Sequence, residues 1–205
     1  MLENVVLSRG YCRIAGMDEA GRGALAGPVV AACVMLNPEQ IPSGINDSKK
    51  LTDRRRRELY DRIMSQALAT GVGLVEPPVI DDINIYHATK LAMKRALRNL
   101  QTHPDFLLID AVKLYDISIN SISIPKGDSR SVSIAAASII AKVYRDNVMV
   151  GYAAKYPEYQ FASHKGYGTA VHRDVLKRYG PTELHRFSYS PVRECMRDGS
   201  KGYHS

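Results

Sequence analysis

Ala15-Gly16-Met17-Asp18-Glu19-Ala20-Gly21-Arg22-Gly23 is the stretch on which the reading of this chain turns. In front of it, residues 11–17 form a short apolar run rich in β-formers, and residues 29–36 form another behind it. Gly21, Gly23, Gly27 and Pro28 punctuate the space between, so the spacing predicts a strand, a turn and a second strand. Two adjacent carboxylates close the first strand, and the glycine–arginine–glycine turn puts them beside backbone that lacks Cβ interference. Adjacent acids are also common on a solvated surface. What decides between the two readings is whether other acids converge on the same place.

Outward from this stretch, residues 37–51 read as a loop carrying Pro38, Pro42, Gly44 and the polar cluster Asn46-Asp47-Ser48-Lys49-Lys50. Thr52 or Asp53 caps a helix to about Ala69, with Leu59, Ile63 and Ala67 on its buried side. Residues 71–75 form a third strand ended by Pro77-Pro78. Asp81 or Asp82 then caps a helix to about Leu100, in which Ile85, Ala88, Ala92 and Ala96 recur at helical spacing. Residues 106–109 are a fourth strand closed by Asp110, and Ile117, Ile119, Ile122 and Ile124 suggest a fifth strand or a hairpin. A long helix covers about 132–155 until Pro157 breaks it. A glycine-bearing loop (Gly166, Gly168), a helix over about 169–179 and a polar ending without strong pattern follow. Alternating strands and helices of this kind predict an α/β fold, a central mixed β-sheet flanked by helices. The expectation is a single domain over 1–205, with a C-terminal helical subdomain over about 157–205.

Composition narrows the partners. Of 205 residues, Lys and Arg number 28 against 21 Asp and Glu, a net charge of +7 that favours a polyanionic partner such as nucleic acid or an acidic membrane surface. No run of 18 apolar residues suggests a membrane span, and the N-terminus lacks a signal-peptide pattern. Cys12, Cys33 and Cys195 are odd in number and widely spaced, which predicts reduced, mostly buried thiols in a cytoplasmic protein and no zinc site.

Asp18, Asp110 and Asp128 share a position type, each at the end of a strand or just before a helix, where ligand sites of α/β sheets collect. If the first and fourth strands are neighbours, Asp18 and Asp110 lie side by side although 92 residues apart. In a regular strand Glu19 points to the face opposite Asp18, so it joins the cluster only if the strand gives way at the turn. Clustered carboxylates need a cation, and oxygen-only ligation suits Mg²⁺ or Mn²⁺. Taken singly, each acid is more readily read as a turn or cap residue than as a ligand.

The spacing Gly21-x-Gly23-x-x-x-Gly27 is one residue too long for a dinucleotide loop and continues as strand, and no GxxxxGK[ST] occurs. Arg22 in the turn and Asn46, Ser48 and Lys49 in the loop make a phosphate-contacting set. Arg54–Arg57 wrap around a helix and are read as solvating its outer face. Tyr167, between Gly166 and Gly168, is placed to stack on a sugar or base.

Five separated motifs in register give the chain a family resemblance: residues 16–23 (GMDEAGRG), 46–51 (NDSKKL), 108–110 (LID), 126–128 (KGD) leading into 133–146 (SIAAASIIAKVYRD), and 164–169 (HKGYGT) with His172, ahead of 180–182 (GPT) and 191–193 (PVR). Over about 15–193 the chain resembles bacterial ribonuclease HII. The resemblance implies the ribonuclease H-like fold and a four-carboxylate site in which Asp18, Glu19, Asp110 and Asp128 are metal-binding and catalytic. It also implies that Gly21, Arg22 and Gly23 recognise a ribonucleotide 2′-hydroxyl and that Tyr167 packs on the sugar at an RNA–DNA junction. Asn46, Ser48, Lys49, His185 and Arg186 are further substrate contacts on the same ground. Ala24 and Ala111 stand where the family commonly has proline and glycine. The related type HIII enzymes carry an extra N-terminal domain and a different fourth acid, so 17 residues ahead of Asp18 and an Asp in fourth place favour HII.

The implied activity is metal-dependent endonucleolytic hydrolysis of RNA–DNA hybrids and of duplex DNA containing ribonucleotides, with one divalent ion activating water and a second stabilising the departing 3′-oxygen. The alternatives are another nuclease of the same superfold, such as a junction resolvase, or a non-catalytic nucleic-acid-binding protein. A monomer is expected, with no membrane association, and no clamp-binding tail points to a protein partner.

Overall fold

The computed structural model describes residues 1–45 and 51–199. Five strands form one mixed sheet in the order β3-β2-β1-β4-β5: β1 (Ile14–Ala20), β2 (Val29–Met35), β3 (Ala69–Val75), β4 (Phe106–Asp110) and β5 (Asn120–Ile124). β1 and β3 each run antiparallel to β2, whereas β4 runs parallel to both β1 and β5. Residues 117–119 form no strand, so the 117–124 stretch holds the single strand β5 and not a hairpin. β1 sits three residues further along than the apolar run predicts, because its pairing with β2 continues to Ala20↔Val30. Residues 12 and 13 are held outside the sheet instead, their backbone N–H groups donating to the Asp105 carboxylate at 3.0 and 2.9 Å.

Both faces of the sheet are covered, and the two-residue period of the strands sorts their side chains between two cores. Ala15, Met17, Val29, Ala31, Cys33 and Met35 pack against Ala88, Ala92, Met93 and Ala96 of helix α3 (Pro77–Arg98). Val30, Ala32 and Val34 pack against Ala135, Ala136, Ile139 and Ile140 of helix α4 (Val132–Lys155), together with Leu59 and Ile63 of helix α2 (Asp53–Gln66). Burying a side chain such as Leu59 or Ile63 fully is worth about 1.5–3 kcal/mol. Gly16 is what lets α4 lie so close to β1: a Cβ there would stand 2.0 Å from the Ser133 carbonyl carbon.

Thr52 is the cap of α2, its Oγ1 accepting from the Arg55 N–H at 3.3 Å. Neither Asp81 nor Asp82 caps α3. The helix begins at Pro77, a residue suited to a first turn, and breaks at Asn84 (φ 63°), whose Oδ1 accepts from the N–H groups of Tyr86 and His87 at 3.0 and 3.2 Å. Asp81 instead accepts from the N–H groups of Phe187 and Ser188 at 2.8 and 2.9 Å, tying the C-terminal region to α3.

A short N-terminal helix, α1 (Leu2–Leu7), carries little sequence pattern and was not expected. Beyond α4 come α5 (Phe161–His164), α6 (Ala170–Tyr179) and α7 (Ser190–Gly199), the last also unexpected. They close over the 21–28 segment through two small cores, one around Ala26, Met149, Tyr159 and Phe161 and one around Leu25, Leu176 and Val192. All three cysteines are free, as expected, but only Cys33 is fully buried and Cys12 is exposed. Among the described residues no helix is long and apolar enough to cross a membrane.

Candidate active site

The sheet brings the acids together. β1 and β4 are adjacent and parallel, with Met17 paired to Ile109, so Asp18 and Asp110 leave the same end of neighbouring strands. Asp18 faces α4 and is buried; its Oδ1 accepts from the Glu19 N–H at 2.7 Å. Burial, then the charges of Glu19 and Asp110, raise its pKa well above the carboxylate range. Glu19 is raised as well, first by burial, with its Arg22 partner at 3.1 Å opposing the shift and Asp110 adding to it.

Contrary to expectation, β1 does not give way before Glu19. The residue is inside the strand, but it lies beyond the last β1–β4 pair, where no neighbouring strand confines its side chain on that side. Glu19 Oε2 is buried and has no hydrogen-bond partner. Asp128 is buried in a single 3₁₀ turn, Gly127–Ser129, directly ahead of α4. That turn is tied to Asp110, whose Oδ1 accepts from the Gly127 N–H at 2.7 Å. Ala111, next to Asp110, adopts φ 49°, a left-handed conformation that explains why glycine suits the position.

Among the described residues no three His, Cys, Asp or Glu side chains stand as a closed metal-binding set. The residues nevertheless fit a hard divalent cation. The donors are all oxygens, one buried carboxylate oxygen of Glu19 has no partner, and the mutual repulsion at Asp18 is what a cation relieves.

Next to the acids, the turn from Gly21 to Gly27 is clamped from behind by two fully buried arginines. Arg186 donates to the carbonyls of Gly21 (2.7 Å), Arg22 (2.8 Å) and Gly27 (2.9 and 3.0 Å). Arg145 donates to those of Ala26 (3.0 Å), Pro28 (2.9 Å) and Lys165 (2.9 Å), and burial pushes its pKa down to about 10. Gly21 has φ 92°, and a Cβ there would fall 2.0 Å from Arg145 Nε, so glycine is required twice over. Arg22 and Gly23 remain exposed on the outer side of the turn.

Tyr167 stands beside this turn, bridged to Ala24, with Lys142 Nζ and Arg145 Cζ 5.3 and 5.2 Å from its ring centroid. A relay of two hydrogen-bonded histidines holds it there. His172 donates from Nδ1 to the Tyr167 carbonyl (2.9 Å) and accepts at Nε2 from His185 Nε2 (3.0 Å), while His185 Nδ1 accepts from the Thr182 N–H (2.9 Å). The network assigns both tautomers and requires both rings neutral. His164 stacks on His172 with centroids 4.3 Å apart.

His185 and Arg186 are therefore corrections to the sequence reading. Both are fully buried and support the turn and Tyr167 from within, so neither reaches a substrate. Asn46, Ser48 and Lys49 lie outside the described residues. Missed by the sequence reading were Arg56, Ser138 and Lys142, which line a cleft of about 250 Å³ with Glu19, Gly21 and Tyr167. A signal existed: Arg56, Leu59 and Ile63 share one stripe of α2, and Ser138 and Lys142 one stripe of α4.

Among solved structures, the ribonuclease H2 of Pyrococcus horikoshii OT3 superposes with a TM-score of 0.80 at 26% identity, covering 93% of this chain and 100% of that one. The ribonuclease HII of Archaeoglobus fulgidus, solved in complex with PCNA, gives 0.76 at 27%, covering 87% and 96%. Fold and site together thus define a nuclease of the ribonuclease H-like class. The family profile for ribonuclease HII matches residues 15–192, and the ribonuclease HII of Acetivibrio thermocellus is 54% identical over 188 residues, 92% of this chain and 73% of that one. The chain belongs to the ribonuclease HII family and is a metal-dependent endoribonuclease, acting on the RNA strand of RNA–DNA hybrids.

Proposed function

We propose that the protein incises duplex DNA at single embedded ribonucleotides as well as cutting longer hybrids, with two Mg²⁺ or Mn²⁺ ions, leaving 3′-hydroxyl and 5′-phosphate ends. The observation that carries this reading is the turn Gly21–Gly27, begun directly after the acid strand and clamped through its carbonyls by Arg186 and Arg145. With its carbonyls engaged behind, the turn keeps an exposed outer edge at Arg22 and Gly23 for a ribose, at a fixed offset from the acids.

In this reading Asp18 and Asp110 hold the divalent ions most directly, and Glu19 and Asp128 complete their surroundings. Bound there, such ions supply neutralisation of the scissile phosphate and a water acidic enough to attack at neutral pH. The backbone of the turn recognises the 2′-hydroxyl, which is the only chemical difference between RNA and DNA at a given sugar. Tyr167 packs on the neighbouring sugar, while Arg56 and Lys142 draw phosphates into the cleft. The +7 net charge adds affinity that is independent of sequence and weakened by salt.

The test is cleavage of a duplex bearing one ribonucleotide, with an all-DNA duplex of the same sequence as control. We expect cutting of the first alone, and loss of at least about 10³-fold in rate for Asp110→Asn. Equal cutting of the all-DNA duplex would end the 2′-hydroxyl account, and undiminished cutting by Asp110→Asn would move the chemistry elsewhere.

A further inference from the structure

The family profile begins at residue 15, yet α1, ahead of it, is bonded into the loop that carries Asp128. Glu3 Oε1 accepts from the Ser131 hydroxyl at 2.6 Å and from the Ser133 N–H at 3.0 Å. Ser131 is itself the cap of α4, its Oγ accepting from the Ile134 N–H at 3.1 Å. Glu3 therefore satisfies one first-turn donor of α4, orients the hydroxyl that satisfies another, and places negative charge at the positive end of the helix.

From there the bonds run on to the acids. The N–H groups of Ser131 and Arg130 both donate to the Gly127 carbonyl at 2.9 Å, and the Gly127 N–H donates to Asp110 Oδ1 at 2.7 Å. Asp128 is enclosed in this loop. The Leu2 N–H donates to the Arg130 carbonyl at 3.3 Å, and Val6 packs with Ile14, Leu108, Ile124 and Ile134, which docks α1 against the sheet. Glu3 Oε2, meanwhile, is buried without a hydrogen-bond partner. An oxygen left in that condition carries a desolvation cost. The helix already has its own cap.

We infer that Glu3 is a positioning residue for the acid site: through Ser131 and Gly127 it sets where Asp128 and Asp110 stand for binding a divalent cation. The inference rests on the proposed roles of those two acids. Its test uses full-length Glu3→Ala, Glu3→Asp and Glu3→Gln beside the wild type and Asp110→Asn. Mn²⁺ binding to the metal-free proteins is measured by calorimetry, kcat and KM on the single-ribonucleotide duplex at saturating Mn²⁺, and thermal unfolding in parallel. Glu3→Ala is expected to bind Mn²⁺ about fivefold to tenfold more weakly and to lose kcat by a similar factor, below the 10–100-fold typical of groups bonded directly to metal ligands. KM should stay within about twofold. Glu3→Asp, which keeps the charge but not the reach, should follow Glu3→Ala. Glu3→Gln keeps the Oε1 acceptor and should stay near wild type.

Should Glu3→Ala not fold, the contrast between the Asp and Gln variants carries the test. Wild-type Mn²⁺ affinity and kcat in Glu3→Ala or Glu3→Asp, whatever their melting temperatures, would sink the inference alone. So would a Gln variant as damaged as the Asp variant. If Asp110→Asn binds Mn²⁺ as the wild type does, the acid-site reading fails and the inference falls with it.

Discussion

At the residue scale the site holds Asp18 and Glu19 in a place that opposes their charge. Asp18 is buried against α4 and feels both Glu19 and Asp110, so in the metal-free protein it is a source of instability. Asp18→Asn should therefore raise metal-free stability by on the order of 1 kcal/mol, the scale of one pKa unit of unfavourable interaction. It should also abolish the stabilisation that Mn²⁺ gives the wild type. Urea denaturation with chelator and with Mn²⁺ checks both; a variant no more stable than wild type yet still stabilised by Mn²⁺ would contradict the assignment. Asp18, Asp110 and Asp128 could be nominated from residue type and position at strand or helix ends, whereas their grouping with Glu19 in one site came from the family resemblance. His185 and Arg186 were misassigned because their chemistry suits a nucleic acid equally well, and only burial shows that their donors are spent on Thr182, His172 and backbone carbonyls.

Among the elements, the clamp on the 21–27 turn is where stability meets the recognition proposed for that turn. Arg186 serves three carbonyls with one planar fork, a geometry that lysine cannot reproduce. Arg186→Met leaves those carbonyls buried without donors and should cost about 3 kcal/mol or more. Arg186→Lys should recover little of it, and discrimination between ribo- and deoxyribonucleotide should fall in both. Denaturant midpoints together with relative cleavage of the two duplexes measure this; a loss under about 1 kcal/mol would show that the turn holds itself. Long periodic elements such as α2, α4 and β2 were legible from their apolar spacing. α1 and α7 were not, since short polar helices depend on docking more than on propensity. The start of β1 was misplaced because apolar residues at its front are bound by Asp105, not by the sheet.

For the molecule as a whole, the histidines join α5, α6 and the 180–186 segment to the 21–27 turn through Tyr167. Burial lowers the pKa of His172 to about 4 and of His185 to about 3, the latter also through His172. Because both folded-state values lie below the ordinary 6.5, the relay's contribution is complete above that pH and is lost as pH falls toward 4 and 3. By pH 5 each imidazole should have cost about 2 kcal/mol relative to neutral pH. Urea midpoints at pH 7.5 and 5, with imidazole proton resonances followed by NMR, test it; unchanged midpoints, or ordinary titration of both rings near 6.5, would exclude a neutral relay. The sequence by itself determined the strand and helix alternation, the identity of the acids and the demand for glycine in the turn, since each follows from local spacing and residue chemistry. Tertiary structure alone decided that β1 and β4 are parallel neighbours, that two arginines and two histidines face inward, and that Glu3 reaches the Asp128 loop. Apart from the histidine pair, which lies 13 positions apart, those depend on contacts between residues about a hundred or more positions apart, where no local pattern records which donor meets which acceptor.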